Sequence, residues 1–182
     1  VKEISDYAKK LGHKGELMPW DFSYYSEKLK KEKYSLDDEI LKPYFKLENV
    51  IDAVFSLANT LYGLNFTEAT DIPGYHPDVK VYDVTDANGR HMAVFYADFF
   101  PRESKRGGAW MTSFREQGFS KDGKVENRPF TSIVCNFTKP TETEPSLLTF
   151  YEVTTFLHEF GHALHGILAE GRFASLTGTS VA

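Results

Sequence analysis

Cysteine is almost absent from this chain. The single one, Cys135, cannot close an internal disulfide, which fits a reducing compartment. Long apolar runs are absent too: nothing approaches the ~18 residues of a membrane span, so no membrane partner is expected. Nor is there a surplus of positive charge. With 21 Lys and Arg against 26 Asp and Glu, the net charge is −5, which argues against a nucleic-acid partner, because such binders carry a basic footprint. No repeat, low-complexity stretch or signal peptide is visible, and the chain is read as cytoplasmic.

What is present suits a globular piece with one core: 182 residues, 41% hydrophobic, with 15 Phe and 10 Tyr for a packed interior or an aromatic groove. Helical spacing covers about 1–10, 21–33 and 47–62; in the last, Val50, Val54, Leu57, Ala58 and Leu61 form a stripe and Gly63 a stop. Residues 64–137 read as strands and turns. Val79–Thr85 and His91–Phe100 flank an Asn88-Gly89 turn, Ile133–Phe137 is a further strand, and Ser120–Lys124 is a loop. Residues 138–182 hold a Pro-punctuated turn, a helix over about 150–170 and a Gly/Ser/Thr-rich tail. The organisation is therefore 1–64, 64–137 and 138–182, and the fold class α+β.

The helix at about 150–170 carries His158-Glu159-Phe160-Gly161-His162. A helix turns about 100° per residue, so His158 and His162 project from one face about one turn apart, where two imidazoles can share one tetrahedral zinc ion. Glu159, on the flank of that face, can act as a base instead of a ligand. Val153, Phe156, Phe160, Ala163, Leu164 and Ile167 form the opposite, core-facing stripe, and Tyr151, Thr154, Thr155 and His165 join the histidine face. Thr149 and Glu152 read as a capping box, and Gly171 as the stop. The same motif can also stand on a solvated helix face without metal. His165 lies about 10.5 Å along the axis from His158, too far to share the ion, and reads as an outer partner of the site or a packed polar residue.

Catalytic zinc usually takes three protein ligands and an open position. Downstream of the motif, Glu170 is the only acidic residue, and it lies too far along the same helix. Upstream, Cys135, His91 and His76 have no selecting spacing. Arg102, Lys105 and Arg106 could hold a peptide carboxylate, or simply form a solvated turn.

The segment Leu157 through Gly166 resembles the zinc helix of the thimet oligopeptidase family of metallopeptidases. So do Met18-Pro19-Trp20-Asp21 with Tyr24–Lys28, Phe45–Ile51 through Leu61-Tyr62-Gly63, Asp98 through Met111, and Val134–Pro140. The Trp110-Met111 pair and the Asn136 strand lie nearest to the family's peptidyl-dipeptidase branch. The resemblance implies a mainly helical zincin-type fold with a small β-sheet. It implies one zinc ion held by His158 and His162, with Glu159 as catalytic base. The family's third ligand is a Glu about 25 residues after the second His, which would fall beyond Ala182. The chain is thus expected to be part of the catalytic region of a longer peptidase. Its partners would be peptide substrate and the rest of the parent chain. It would be inactive on its own, with zinc absent or loosely held. The Ile133–Phe137 strand is expected to offer its edge to an extended peptide, or else to be an ordinary buried strand. The competing reading is a non-catalytic module whose unmetallated motif serves packing or partner binding.

Overall fold

The computed structural model describes residues 1–35 and 38–181. The chain divides into two compact units, Val1–Pro43 and Tyr44–Ala182. In the first, helix α1 (Lys2–Lys10) packs on α2 (Pro19–Tyr34). Pro19 suits the first turn of α2, where its missing N–H has no helical partner to lose, and Asp21 accepts from the Met18 amide at 3.3 Å. Tyr7 of α1 donates to Glu32 of α2 at 2.7 Å. A short helix α3 (Asp38–Leu41) follows.

The second unit is α+β. Helix α4 (Leu47–Tyr62) buries Leu47, Val50, Ile51, Val54 and Ala58, and ends on Gly63 at φ 68°, the left-handed cap expected there. Leu57 and Leu61, expected in the same stripe, are exposed. Five strands then form one mixed sheet: β1 (Asn65–Glu68), β2 (Lys80–Thr85), β3 (His91–Asp98), β4 (Trp110–Arg115) and β7 (Phe130–Val134). Two short strands, β5 (Gly118–Phe119) and β6 (Glu126–Asn127), pair separately. The sheet order is β1-β2-β3-β7-β4; every neighbouring pair is antiparallel except β3 with β7.

Two expectations change here. The strand placed at Ile133–Phe137 begins earlier, at Phe130. It runs between β3 and β4, so it has no free edge, and its residues Thr131 to Val134 are buried. Its extension stays paired as well, with Cys135 N and Phe137 N donating to Asp98 and Phe99 carbonyls at 2.8 Å. The edge next to it is β4.

Helix α5 (Phe150–Ile167) packs across β4 and β7. Its stripe meets α4 and the sheet in an aromatic cluster. Phe55 stacks on Phe66 at 4.2 Å, and Phe160 lies within about 6 Å of Phe55, Phe66 and Phe95. Much of the abundant phenylalanine therefore goes into the core, while Phe114, Phe119, Phe150 and Phe173 stay exposed. Gly166 permits the close seat of α5, since a Cβ there would stand 3.1 Å from Thr131 Cγ2. On the other face of the sheet, Val79, Val81, Val94 and Tyr96 form a smaller cluster.

Candidate metal centre

Helix α5 is fixed from its ends inward. At its start the expected capping box is present: Glu152 N donates to Thr149 Oγ1 at 3.2 Å, and Thr149 N to Glu152 Oε2 at 2.8 Å. At its finish the expected glycine stop is not used. The helix ends at Ile167, and Leu168 adopts φ −87° and ψ 0°. The buried guanidinium of Arg128 instead donates to Ile167 O at 2.7 Å and Ala169 O at 3.3 Å. Carbonyls left open by the helix end gain a donor, and a cation sits at the helix's negative pole. Gly171 serves a close approach: a Cβ there would lie 2.8 Å from Thr177 Oγ1.

Between these ends the helix faces as its periodicity predicts. Phe156, Phe160, Ala163 and Ile167 are buried, while His158 and His162 are exposed. Leu164 is only half-buried. It borders a cavity of about 600 Å³ with Tyr62, His165 and Leu168, and His165 is exposed there instead of packed.

The Nε2 atoms of His158 and His162 stand 3.2 Å apart. Two nitrogens about 2.0–2.1 Å from one tetrahedral ion would be separated by roughly 3.3 Å. The separation of the two Nε2 atoms therefore suits a shared ion. Glu159, 8% exposed, borders with His158 a groove of about 460 Å³ whose other walls are Tyr151, Thr154, Thr155 and Ala109. A carboxylate and an imidazole thus open onto one space beside the start of β4.

Among the described residues no three His, Cys, Asp or Glu side chains gather closely enough to hold a metal. The upstream candidates are otherwise engaged. Burial pushes the Cys135 thiol up to about 12, and the Glu159 carboxylate adds to the shift, so a ligating thiolate is disfavoured. His91 Nδ1 pairs with Asp83 at 2.6 Å, and His76 Nδ1 accepts from the Asp78 amide at 3.2 Å.

The wall opposite α5 is held by groups that sequence reading misassigned. Asp98 is fully buried and accepts from Arg102 Nη1 and Lys105 Nζ, each at 2.9 Å, and from Tyr75 OH at 2.9 Å. Lys105 Nζ also donates to the Phe100 carbonyl at 2.8 Å. Arg106 lies over the Trp110 ring at 5.3 Å. The basic run is thus neither a solvated turn nor an open carboxylate clamp; two of its three charges neutralise a buried aspartate. Burial works against ionising Asp98, but its three donors outweigh that and hold the carboxyl below its usual range. Asn136 Nδ2 donates to Arg106 O at 2.8 Å and Gly108 O at 2.7 Å, fixing the backbone just before Ala109. The one sequence hint was Asp98 itself, a charge closing an otherwise apolar strand.

Helix α5 thus pairs two histidines and opens one of them, with a carboxylate, onto a groove beside the edge of a mixed sheet. The whole chain, residues 1–182, matches the model of peptidase family M3, and the chain belongs to that family, whose members are metallopeptidases. It is 49% identical over 162 residues to dipeptidyl carboxypeptidase of Salmonella typhimurium, covering 88% of this chain and 23% of that protein. It is 39% identical over 180 residues to oligopeptidase A of Escherichia coli, covering 99% and 26%. It is 36% identical over 165 residues to a thimet-like oligopeptidase of Dictyostelium discoideum, covering 89% and 24%. The chain spans about a quarter of the length of these curated relatives. The family resemblance carried by the Leu157–Gly166 and Asp98–Met111 segments is therefore borne out. Among the described residues no helix is long and apolar enough to cross a membrane.

Proposed function

We propose that the parent polypeptide hydrolyses short peptides with one zinc ion, as an oligopeptidase or peptidyl-dipeptidase, in a cytoplasmic setting. The observation that carries this is the 3.2 Å separation of His158 Nε2 and His162 Nε2, with Glu159 opening onto the same groove as His158. His158 and His162 hold the metal as neutral imidazoles through their Nε2 atoms. Zinc, when bound, polarises the scissile carbonyl and makes water a nucleophile near neutral pH. Glu159 takes the proton from the attacking water and returns it to the leaving amine. The free edge of β4 is the nearer surface for an extended peptide, through main-chain hydrogen bonds. The third ligand and the oxyanion donors come from elsewhere in the parent, so the 182-residue chain alone is inactive.

The test is Glu159→Gln in the parent polypeptide. The reading expects zinc content to stay near one per chain while peptide hydrolysis is lost. Zinc loss in that variant makes Glu159 a ligand, and undiminished hydrolysis removes it as base. A parent that binds no zinc and cleaves no peptide is the non-catalytic module of the competing reading.

A further inference from the structure

The end of α5 is tied down by one continuous polar network. Arg128 is 7% exposed and donates to four acceptors on three parts of the fold: Met92 O of β3 at 2.8 Å, Glu126 Oε1 at 2.7 Å, and the Ile167 and Ala169 carbonyls at the end of α5. Gln117, 1% exposed, continues the network. Its Nε2 donates to Glu126 Oε1 at 3.2 Å, and its Oε1 accepts from Gly171 N at 2.7 Å and Thr177 Oγ1 at 3.4 Å. The backbone is sewn on beside it. Phe119 N donates to Arg172 O at 3.2 Å, and a Cβ on Gly118 would meet Ala174 N at 2.8 Å. The network therefore fixes both where α5 stops and the direction the chain takes after it.

Apolar packing alone does not fix a helix along its own axis as tightly as a metal site demands. Directional bonds at the C-terminal end of α5 supply that restraint, and a guanidinium with five donors in a rigid fork is suited to it. Ligating groups need to be held within about 0.5 Å of their working geometry.

We propose that Arg128 and Gln117 are positioning residues of the metal centre. They hold the α5 end and the following turn in the axial register that sets His158 and His162 against the groove wall at Ala109 and against the ligand supplied by the rest of the parent. The proposal rests on the two-histidine reading of the site.

The test loads the metal-free parent polypeptide with cobalt(II), whose visible bands report coordination geometry. Arg128→Met and Gln117→Leu are expected to weaken cobalt binding by about tenfold, the low end of the effect of removing groups bonded to metal ligands, because neither residue touches a histidine, and to shift the bands. Arg128→Lys, which keeps the charge but loses the fork, should recover part of the affinity. Val84→Ala, which opens the core on β2, serves as a control for lost stability. If it lowers Tm as much as Gln117→Leu and weakens cobalt equally, positioning is overturned. Unchanged bands and affinity in Gln117→Leu overturn it as well, whether or not Arg128→Met folds. If the unaltered parent takes up no cobalt, the reading of the site fails first, and the proposal with it.

Discussion

Lys105 and Asp98 are both shut off from solvent, and their ammonium and carboxylate groups meet at 2.9 Å. Asp98 is the main compensation for the burial of Lys105, while Asp98 itself draws on Arg102 and Tyr75 as well. Asp98→Asn should leave the ammonium without its counter-charge and destabilise the fold by about 3–5 kcal/mol, the range for breaking a buried pair by removing one partner. Chemical denaturation of the 182-residue chain measures this. A loss under about 1 kcal/mol, the level of a surface pair, would show that the cluster is not holding the wall before Ala109.

The same cluster sets a pH dependence. Asp98 has a lower pKa folded than unfolded, because its three donors outweigh the effect of burial. Its contribution is fully present above the unfolded carboxyl value, about 4, and disappears as pH falls through the lower folded value. Stability should fall on acidification below about pH 4, and Asp98→Asn should flatten that slope. Parallel slopes for the two proteins would assign acid sensitivity to other carboxylates, with Glu126 first among them. Burial opposes its charge, yet Arg128 and Gln117 hold its pKa down.

Phe160 separates packing from chemistry on one helix. It is 3% exposed among Phe55, Phe66, Phe95 and Phe156. Phe160→Ala should cost about 3–5 kcal/mol. His162→Ala, on the exposed face, should change stability by no more than about 0.5 kcal/mol in metal-free protein. Equal losses in thermal melts would contradict this division of faces.

The 182-residue chain should bind zinc weakly, and in a way that His158→Ala abolishes, since two imidazoles stand ready without a third donor among the described residues. Titration with a zinc-competing chromophore measures it. Peptide cleavage well above a Glu159→Gln control would place a full ligand set inside this chain.

Local features were readable in the sequence; distant ones were not. The α5 motif, its capping box and its buried stripe each lie within a few residues of themselves, so periodicity and capping chemistry sufficed. The β2–β3 pair declared itself through apolar runs around Asn88-Gly89. Strand β1 escaped because it is four residues long and mostly exposed, and β4 because an edge strand bearing Thr112, Ser113 and Arg115 has little apolar alternation. Strand β7 was misplaced because Thr131 and Ser132 are buried despite their polarity. Arg128 gave no signal, since the carbonyls it serves lie 36 to 41 residues away in sequence. The basic run at 102–106 misled because its partner, Asp98, is buried, and composition cannot report burial.

The parallel pairing of β3 with β7 sets an order in time. It joins residues 94–98 to 130–134 and must wait for the whole β4–β6 excursion to be gathered in. Helix α5 needs only its own turns, which form in about a microsecond, whereas closing long loops into non-local ladders is slow. The two histidines can thus meet whenever this helix forms, ahead of the sheet beneath it. On the proposed reading, a newly made chain would carry its paired histidines before the groove beside β4 exists.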